Sequence, residues 1–332
     1  MIISRTPYRI SFFGGGTDYP QWYLKEGGAV LSTTIDRYSY VLCRLLPPFY
    51  SVKYKIVWRY IEVVDTVSEI LHPAIRNGLK HLGFDNGLGL EIHHQGDLPA
   101  RTGMGSSSSF VVGLFKALTA LKGEMIGKKE LAEMAINFEQ NILNENVGSQ
   151  DQTAVAYGGF NIIRFSKNGD IKVEPVTISL DRIVELESHL MLLYTGHTRL
   201  ATDITSDFIA NFDKKAEALR TMYTMVDHAV SILSSKKNIT EFGKLLNESW
   251  KLKRSISSKV SNSGIDKIYE TALDHGALGG KLLGAGSSGF MLLFAAPDKQ
   301  QQIRDALPAY MHVPFKFETD GSVITYYTKE HV

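Results

Sequence analysis

The sequence predicts an α+β protein of two domains, and three observations carry that expectation. β-Branched and aromatic runs crowd the first part of the chain, apolar residues at helical spacing dominate much of the rest, and 332 residues with 44% apolar content can bury one large core or two medium ones. The boundary is expected near residue 180, which gives domains 1–180 and 181–332.

Taken in order, residues 28–46 read as strands because β-branched and aromatic residues recur at close spacing within Ala-Val-Leu-Ser-Thr-Thr-Ile and Tyr-Val-Leu-Cys. Residues 54–58 and 88–93 read the same way. After Ser109 the apolar residues Val111, Val112, Leu114, Phe115, Leu118 and Leu121 recur at helical spacing, and Gly123 supplies a stop. A second helix is expected over 129–143, where Leu131, Ala135, Phe138 and Ile142 make one stripe with Glu139 at its edge. Residues 157–165 read as a turn entering a strand, and 167–170 as a hairpin tip. Helical spacing returns over 202–233, 240–253 and 264–275. The last part alternates: a buried strand at 290–295, a helix at 299–307, and strands at 313–317 and 323–327.

Thirty-six basic residues against thirty-five acidic ones leave a formal charge of +1, so no global field draws nucleic acid or a membrane surface, and any anion must be held locally. The single cysteine, Cys43, lies in the apolar run Tyr40-Val-Leu-Cys-Arg-Leu-Leu46. It excludes an intramolecular disulfide, reads as a buried thiol and suits a reducing compartment. The chain opens without a basic segment followed by an apolar core, and no window approaches eighteen uninterrupted apolar residues, so a soluble, cytoplasmic protein is expected. The oligomeric state, a homodimer included, is left open by the residues. His93 and His94 adjoin on an expected strand, where neighbours face opposite ways, which argues against a shared zinc ion.

Glycine is clustered at 14–16, 103–105, 158–159 and 276–289. In Leu98-Pro-Ala-Arg-Thr-Gly-Met-Gly-Ser-Ser-Ser-Ser109, Gly103 and Gly105 let backbone N–H groups converge, and the serines open a helix whose N-terminus favours an anion. A plain Gly-Ser turn with an N-capping serine fits that segment equally well. No Gly-Lys-Ser/Thr closes it, so it is not a Walker A loop.

Pro99-Ala-Arg-Thr-Gly-Met-Gly-Ser-Ser-Ser-Ser109 resembles the second motif of the GHMP kinase superfamily. Thr6-Pro-Tyr-Arg-Ile-Ser-Phe-Phe-Gly-Gly-Gly-Thr-Asp18 resembles the first, and Gly276-Ala-Leu-Gly-Gly-Lys-Leu-Leu-Gly-Ala-Gly-Ser-Ser-Gly289 the third. The resemblance implies a ribosomal-S5-like N-terminal domain joined to a ferredoxin-like C-terminal one, and a kinase that moves the γ-phosphoryl group of ATP onto a sugar hydroxyl with Mg²⁺. By the same resemblance Pro99, Arg101, Thr102, Gly103, Met104, Gly105, Ser106, Ser107, Ser108 and Ser109 hold ATP. Asp151, twelve residues after Glu139, accepts the hydroxyl proton, and Arg9 stabilises the charge that builds at transfer. Ser107 and Glu139 match the Mg²⁺ ligands, a hard-oxygen pair in which Ser106 or Ser108 could take the serine's part. Asp18, Gly15, Gly16 and Thr17 fall on the sugar-binding segment, and Gly286 on the loop that closes over it. Gly15 and Gly16 stand where galactokinase carries a Glu-His pair, which points away from galactose.

Within the superfamily the opening segment and Gly27-Gly-Ala-Val-Leu-Ser-Thr-Thr-Ile-Asp-Arg-Tyr38 are most similar to the D-glycero-D-manno-heptose 7-phosphate kinases, with L-fucokinase-like enzymes next. A sugar phosphate acceptor needs further cations, for which Arg199, Arg101 and Lys281 are the candidates. The adenine pocket is expected between residues 46 and 87. A catalytically silent sugar sensor could share the fold, but the joint presence of Asp151, Glu139, Ser107 and Arg9 favours an enzyme.

Overall fold

The computed structural model describes residues 1–47, 49–196, 206–207 and 209–328. Along the chain come β1 (Ile2–Phe13), α1 (Pro20–Glu26), β2 (Gly28–Leu45), β3 (Tyr54–Val57), β4 (Ile61–Val64), α2 (Pro73–His81) and β5 (Leu90–Gly96). Then follow α3 (Ser106–Leu121), α4 (Lys128–Asn137), α5 (Gln150–Tyr157), β6 (Phe160–Phe165), β7 (Ile171–Pro175), α6 (Leu180–Ser188) and β8 (Leu190–Tyr194). The rest holds α7 (Ala216–Ser234), α8 (Thr240–Ile256), α9 (Ser263–Asp274), β9 (Ala277–Leu282), β10 (Phe290–Ala295), α10 (Gln300–Ala306), β11 (Met311–His312), β12 (Phe317–Glu318) and β13 (Val323–Tyr327).

Among the described residues the strands make a nine-stranded sheet and a four-stranded one. The long strand β2 is the spine of the first, because its two ends serve different neighbours. Residues 39–45 pair with β5, while 28–33 pair with β6, and β1 lies along most of its other edge. β3 joins β5 in parallel, an arrangement that needs the crossover through α2. The second sheet runs β11-β8-β10-β9 and is antiparallel throughout.

Two cores flank the first sheet. On one side Phe110, Val111, Leu114 and Phe115 of α3 pack with Phe138 against Val41, Ile56 and Ile92. On the other, Phe12 and Phe13 meet Phe242 of α8 edge-on at 5.6 and 5.1 Å, in a cluster that also holds Leu192, Phe290 and Phe294 of the second sheet. The two sheets thus share an apolar layer. A third core, around Trp250, Tyr269 and Met291, lies inside the second half.

The α+β expectation holds, with corrections at the level of elements. The helix expected over 129–143 is α-helical only to Asn137, then widens into a π turn at Phe138–Ile142. Of the helix expected over 202–233, α7 begins at Ala216, while 202–205 and 208 lie outside the described residues. β12 pairs with β2, and β13 with β1, so the chain's end returns to the first sheet. A division of the sequence near residue 180 is therefore not a division of the sheets. Among the described residues no helix is long and apolar enough to cross a membrane. Cys43 is fully buried, and burial pushes its thiol well above the ordinary range.

Candidate active site

The glycine loop before α3 has the geometry its composition implies. Gly103 and Gly105 adopt φ of 79° and 74°, and Gly105 stands at the start of α3, whose first N–H groups no side chain caps. Converging amides at an uncapped helix start form an anion nest. Arg101 shares the left-handed region at φ 62°, which is unfavourable for a residue with a Cβ, and its N–H donates to Ser106 Oγ at 3.0 Å. Thr102 Oγ1 donates to the Pro99 carbonyl at 2.7 Å, tightening the turn. Met104 is buried in the shared core, and its carbonyl accepts from the Arg9 N–H.

The third glycine segment packs on this loop backbone to backbone. A Cβ on Gly284 would lie 2.4 Å from the Gly103 Cα, and one on Gly103 would lie 2.3 Å from the Leu283 carbonyl oxygen. The Phe290 N–H donates to the Thr102 carbonyl at 3.1 Å. Ser287 N–H donates to the Val260 carbonyl at 2.8 Å, which seats Gly286 against the turn after α8.

Arg9, on β1 and 3% exposed, ties these parts together. Its Nε and Nη2 donate to the two carboxylate oxygens of Asp151 at 2.7 and 2.6 Å, and its Nη1 donates to the Gly103 carbonyl at 2.7 Å. A bidentate guanidinium–carboxylate pair fixes both position and direction. Asp151 lies in the first turn of α5, where the helix dipole favours a negative charge, and its side chain keeps 25% exposure.

Asp18 lies beside this pair and is 1% exposed. Its Oδ1 accepts from the Gly16 N–H at 2.8 Å, and its carbonyl accepts from the Ser149 N–H, linking the sugar-segment loop to the start of α5. Burial raises its carboxyl to about 6, and the nearby Asp151 pushes the same way. Gly15 passes over Ser11 and Gln150, whose Oγ and Nε2 would each lie 3.7 Å from a Cβ there. Thr17 is fully buried, and its hydroxyl donates to the Gly14 and Ala29 carbonyls and accepts from the Ala29 N–H. These bonds pin the loop to β2.

Glu139 is fully buried within the π turn, a helical defect that recurs at functional sites. Its Oε2 accepts from Ser108 Oγ at 2.8 Å and from Gln152 Nε2. Its Oε1 is buried without a partner, and burial raises the carboxyl to about 8. The structure thus brings Ser108, not Ser107, into contact with Glu139; Ser107 is exposed at the start of α3. Ser109 Oγ donates to the Pro7 carbonyl at 2.9 Å, a structural bond between α3 and β1.

Of the three cations considered for a substrate phosphate, Arg199 lies outside the described residues, and Arg101 is exposed on the glycine loop. Lys281 is buried, its Nζ donating to the Phe12 carbonyl at 2.9 Å. Sequence reasoning missed Lys253 of α8, which is buried and donates to the Gly284 carbonyl. A lysine one turn from the end of an amphipathic helix gave no signal. Sequence reasoning also named no residue of an aromatic group beside α3: Trp58 and His72 approach at 4.6 Å, and His72 and Phe110 at 5.1 Å. His93 reaches Glu91 at 2.7 Å and His94 reaches Ser39 at 3.0 Å, so the two histidines have separate partners.

Comparison with known proteins shows the family. The model for the GHMP kinases N terminal domain matches residues 67–159, and that for the GHMP kinases C terminal matches residues 229–313. The chain is 30% identical over 325 residues to D-glycero-alpha-D-manno-heptose 7-phosphate kinase of Campylobacter jejuni, covering 92% of this chain and 93% of that one. It is 24% identical to the bifunctional fucokinase/GDP-fucose pyrophosphorylase of Arabidopsis thaliana over 93% of this chain, which is 31% of that protein. The crystal structure of a D-glycero-D-manno-heptose 1-phosphate kinase from Bacteroides thetaiotaomicron superposes with a TM-score of 0.81 over 99% of this chain and 100% of that one; at 23% identity this bears on the fold. The chain belongs to the GHMP kinases, with their ribosomal-S5-like and ferredoxin-like α+β domains, and is a sugar kinase that transfers phosphate to an alcohol group.

Proposed function

We propose that the chain phosphorylates the anomeric hydroxyl of D-glycero-D-manno-heptose 7-phosphate with ATP, giving the 1,7-bisphosphate for nucleotide-activated heptose synthesis. The observation that carries this reading is the placement of Asp151, gripped by Arg9, between the anion nest at Gly103–Gly105 and the buried Asp18. Such a site holds a phosphoryl donor on one side of the carboxylate and a polyol on the other. The Campylobacter jejuni relative's name supplies the sugar, at 30% identity.

In this reading the N–H groups of the nest and of the α3 start hold the β- and γ-phosphates, and Asp18 accepts hydrogen bonds from sugar hydroxyls. Asp151 receives the proton of the attacking hydroxyl, and Arg9 keeps the carboxylate aimed while offsetting charge on the transferring group. We assign adenine to the aromatic group of Trp58, His72 and Phe110; Phe110 sits in the second turn of α3, and His72 is electrostatically coupled to Arg101 of the loop.

The residues around Glu139 fit a magnesium ion. Glu139 Oε1 is a buried, unpartnered acceptor, and the serines at the start of α3 add hydroxyl oxygen, a hard donor set. Glu139 would hold the ion with Ser107 or Ser108. When bound, Mg²⁺ neutralises charge on the phosphates.

The test is ADP release from purified protein offered heptose 7-phosphate, L-fucose, mannose, galactose and mevalonate in turn. The heptose phosphate is expected to give the highest kcat/KM. A higher value with another acceptor would replace the proposed substrate, and no turnover with any sugar would sink the reading.

A further inference from the structure

Lysine is almost never fully buried unless something holds its charge, because desolvating an ammonium is costly. Two lysines from the second half of the chain are buried beside the site. Lys281 of β9, 3% exposed, donates to the Phe12 carbonyl, one residue before the end of β1. Lys253, 7% exposed, lies in the last turn of α8, where the helix dipole favours a cation, and its Nζ donates to the Gly284 carbonyl. Gly284 in turn rests on Gly103 of the phosphate loop. One ammonium hydrogen is therefore used on the glycine segment, and two remain.

The groups that act electrostatically on Lys253 are Arg9 of β1, Asp18 of the loop that follows, Asp151 of α5 and Lys281 of β9. Asp18 is faced by Asp151 and Tyr19, and by both lysines, and it accepts from the Gly16 N–H and from Gln150. Three buried basic side chains thus lie about two carboxylates, of which Asp18 is sealed from water and Asp151 keeps some exposure. That excess of positive charge suits a site that must receive a transferring phosphoryl group.

We propose that Lys253 is a positioning residue for phosphoryl transfer: through Gly284 it clamps the third glycine segment onto the phosphate loop, and its ammonium faces Asp18 and Asp151 from the opposite half of the molecule. The clamp explains why a lysine is buried at the end of α8, and the charge explains why it is a lysine. The inference rests on the phosphoryl-transfer site and not on the identity of the acceptor.

The signs follow from the surroundings. Burial lowers Lys253 to about 8, so its charge is present below that pH and lost above it. Asp18 titrates near 6, and removing a facing cation raises it further.

The experiment compares Lys253→Met and Lys253→Arg with the wild type, using the acceptor of highest wild-type turnover, with rates across pH 5–9 and ATP affinity by calorimetry without acceptor. Lys253→Met is expected to lower kcat by about 10²-fold, weaken ATP binding several-fold and move the acid limb of kcat/KM to higher pH. Lys253→Arg is expected to recover most of the rate and to lose the basic limb near 8. Wild-type rates, limbs and ATP affinity in Lys253→Met overturn the proposal. So do equal losses in both variants with unmoved limbs, which is what a purely structural lysine would give. Should Lys253→Met fail to fold, the basic limb of Lys253→Arg still decides. A wild type that ignores heptose 7-phosphate but turns over another sugar counts against the proposed acceptor alone, and if no sugar is turned over the ATP affinities decide.

Discussion

Asp18 and Asp151 lie side by side and differ in what surrounds them. Asp151 is held by two guanidinium hydrogen bonds and keeps contact with solvent, which suits the proton acceptor proposed for it. Asp18 is sealed off and raised to about 6, so its charged form, the better acceptor for sugar hydroxyls, is lost as pH falls through that value. kcat/KM for the sugar is therefore expected to fall below pH 6 while ATP affinity holds, and a pH series of both quantities checks it. A flat sugar profile down to pH 5 would separate Asp18 from substrate. Asp151→Asn removes the proposed proton acceptor without changing its size, and a loss of about 10³-fold in kcat with ATP affinity preserved is expected in single-turnover assays. A rate within a few-fold of wild type would show that transfer needs no base at this position.

At the scale of elements, the candidate site is a stack of loops whose closest approach, Gly284 on Gly103, only glycine backbones allow. Gly284 has φ of 70°, and its Cα hydrogen points at the Gly103 backbone, so Gly284→Ala must push the two loops apart. Overpacking of this kind costs about 1–3 kcal/mol, and the variant is expected to show a lower melting temperature together with a raised KM for ATP. A raised KM without any loss of stability would mean that the loops touch only when nucleotide is bound. Such local features were legible in the sequence: glycines 103 and 105, the serine-headed helix, and the order of the three motifs. Features that depend on helical phase were not. The stripe of Leu131, Ala135, Phe138 and Ile142 reads as continuous α-helix, yet the chain widens at Phe138, and that extra residue per turn is what puts Glu139 inside, facing Ser108. The polar run Gln150-Asp-Gln-Thr153 conceals the start of α5 because its helical signal comes from packing on α3 and α4 rather than from periodicity.

At the scale of the molecule, the two halves meet through a shared apolar layer and a shared charge cluster. Phe12 and Phe13 pack on Phe242, and Lys253 and Lys281 cross the same divide to reach the site. Such long-range partners leave no pattern in a single sequence, which is why the residues of the first and second motifs were readable and the two lysines' roles were not. The last strands add a second tie: β13 covers the edge of β1, and β12 pairs with β2 at Thr34 and Ile35. A chain ending at residue 316 is expected to lose its cooperative thermal transition, since it uncovers the strand that carries Arg9; a circular dichroism melt reads the outcome, and an unchanged transition would make the returning strands dispensable. In the proposed reaction the Arg9–Asp151 pair directs the γ-phosphoryl group to an anomeric oxygen. Phosphorus NMR of the wild-type reaction with ATP and heptose 7-phosphate tests it most directly: a new sugar phosphate signal coupled to the anomeric proton, growing in step with ADP, is the expected result, and ADP formed without that signal, or a phosphate on any other carbon, would contradict it.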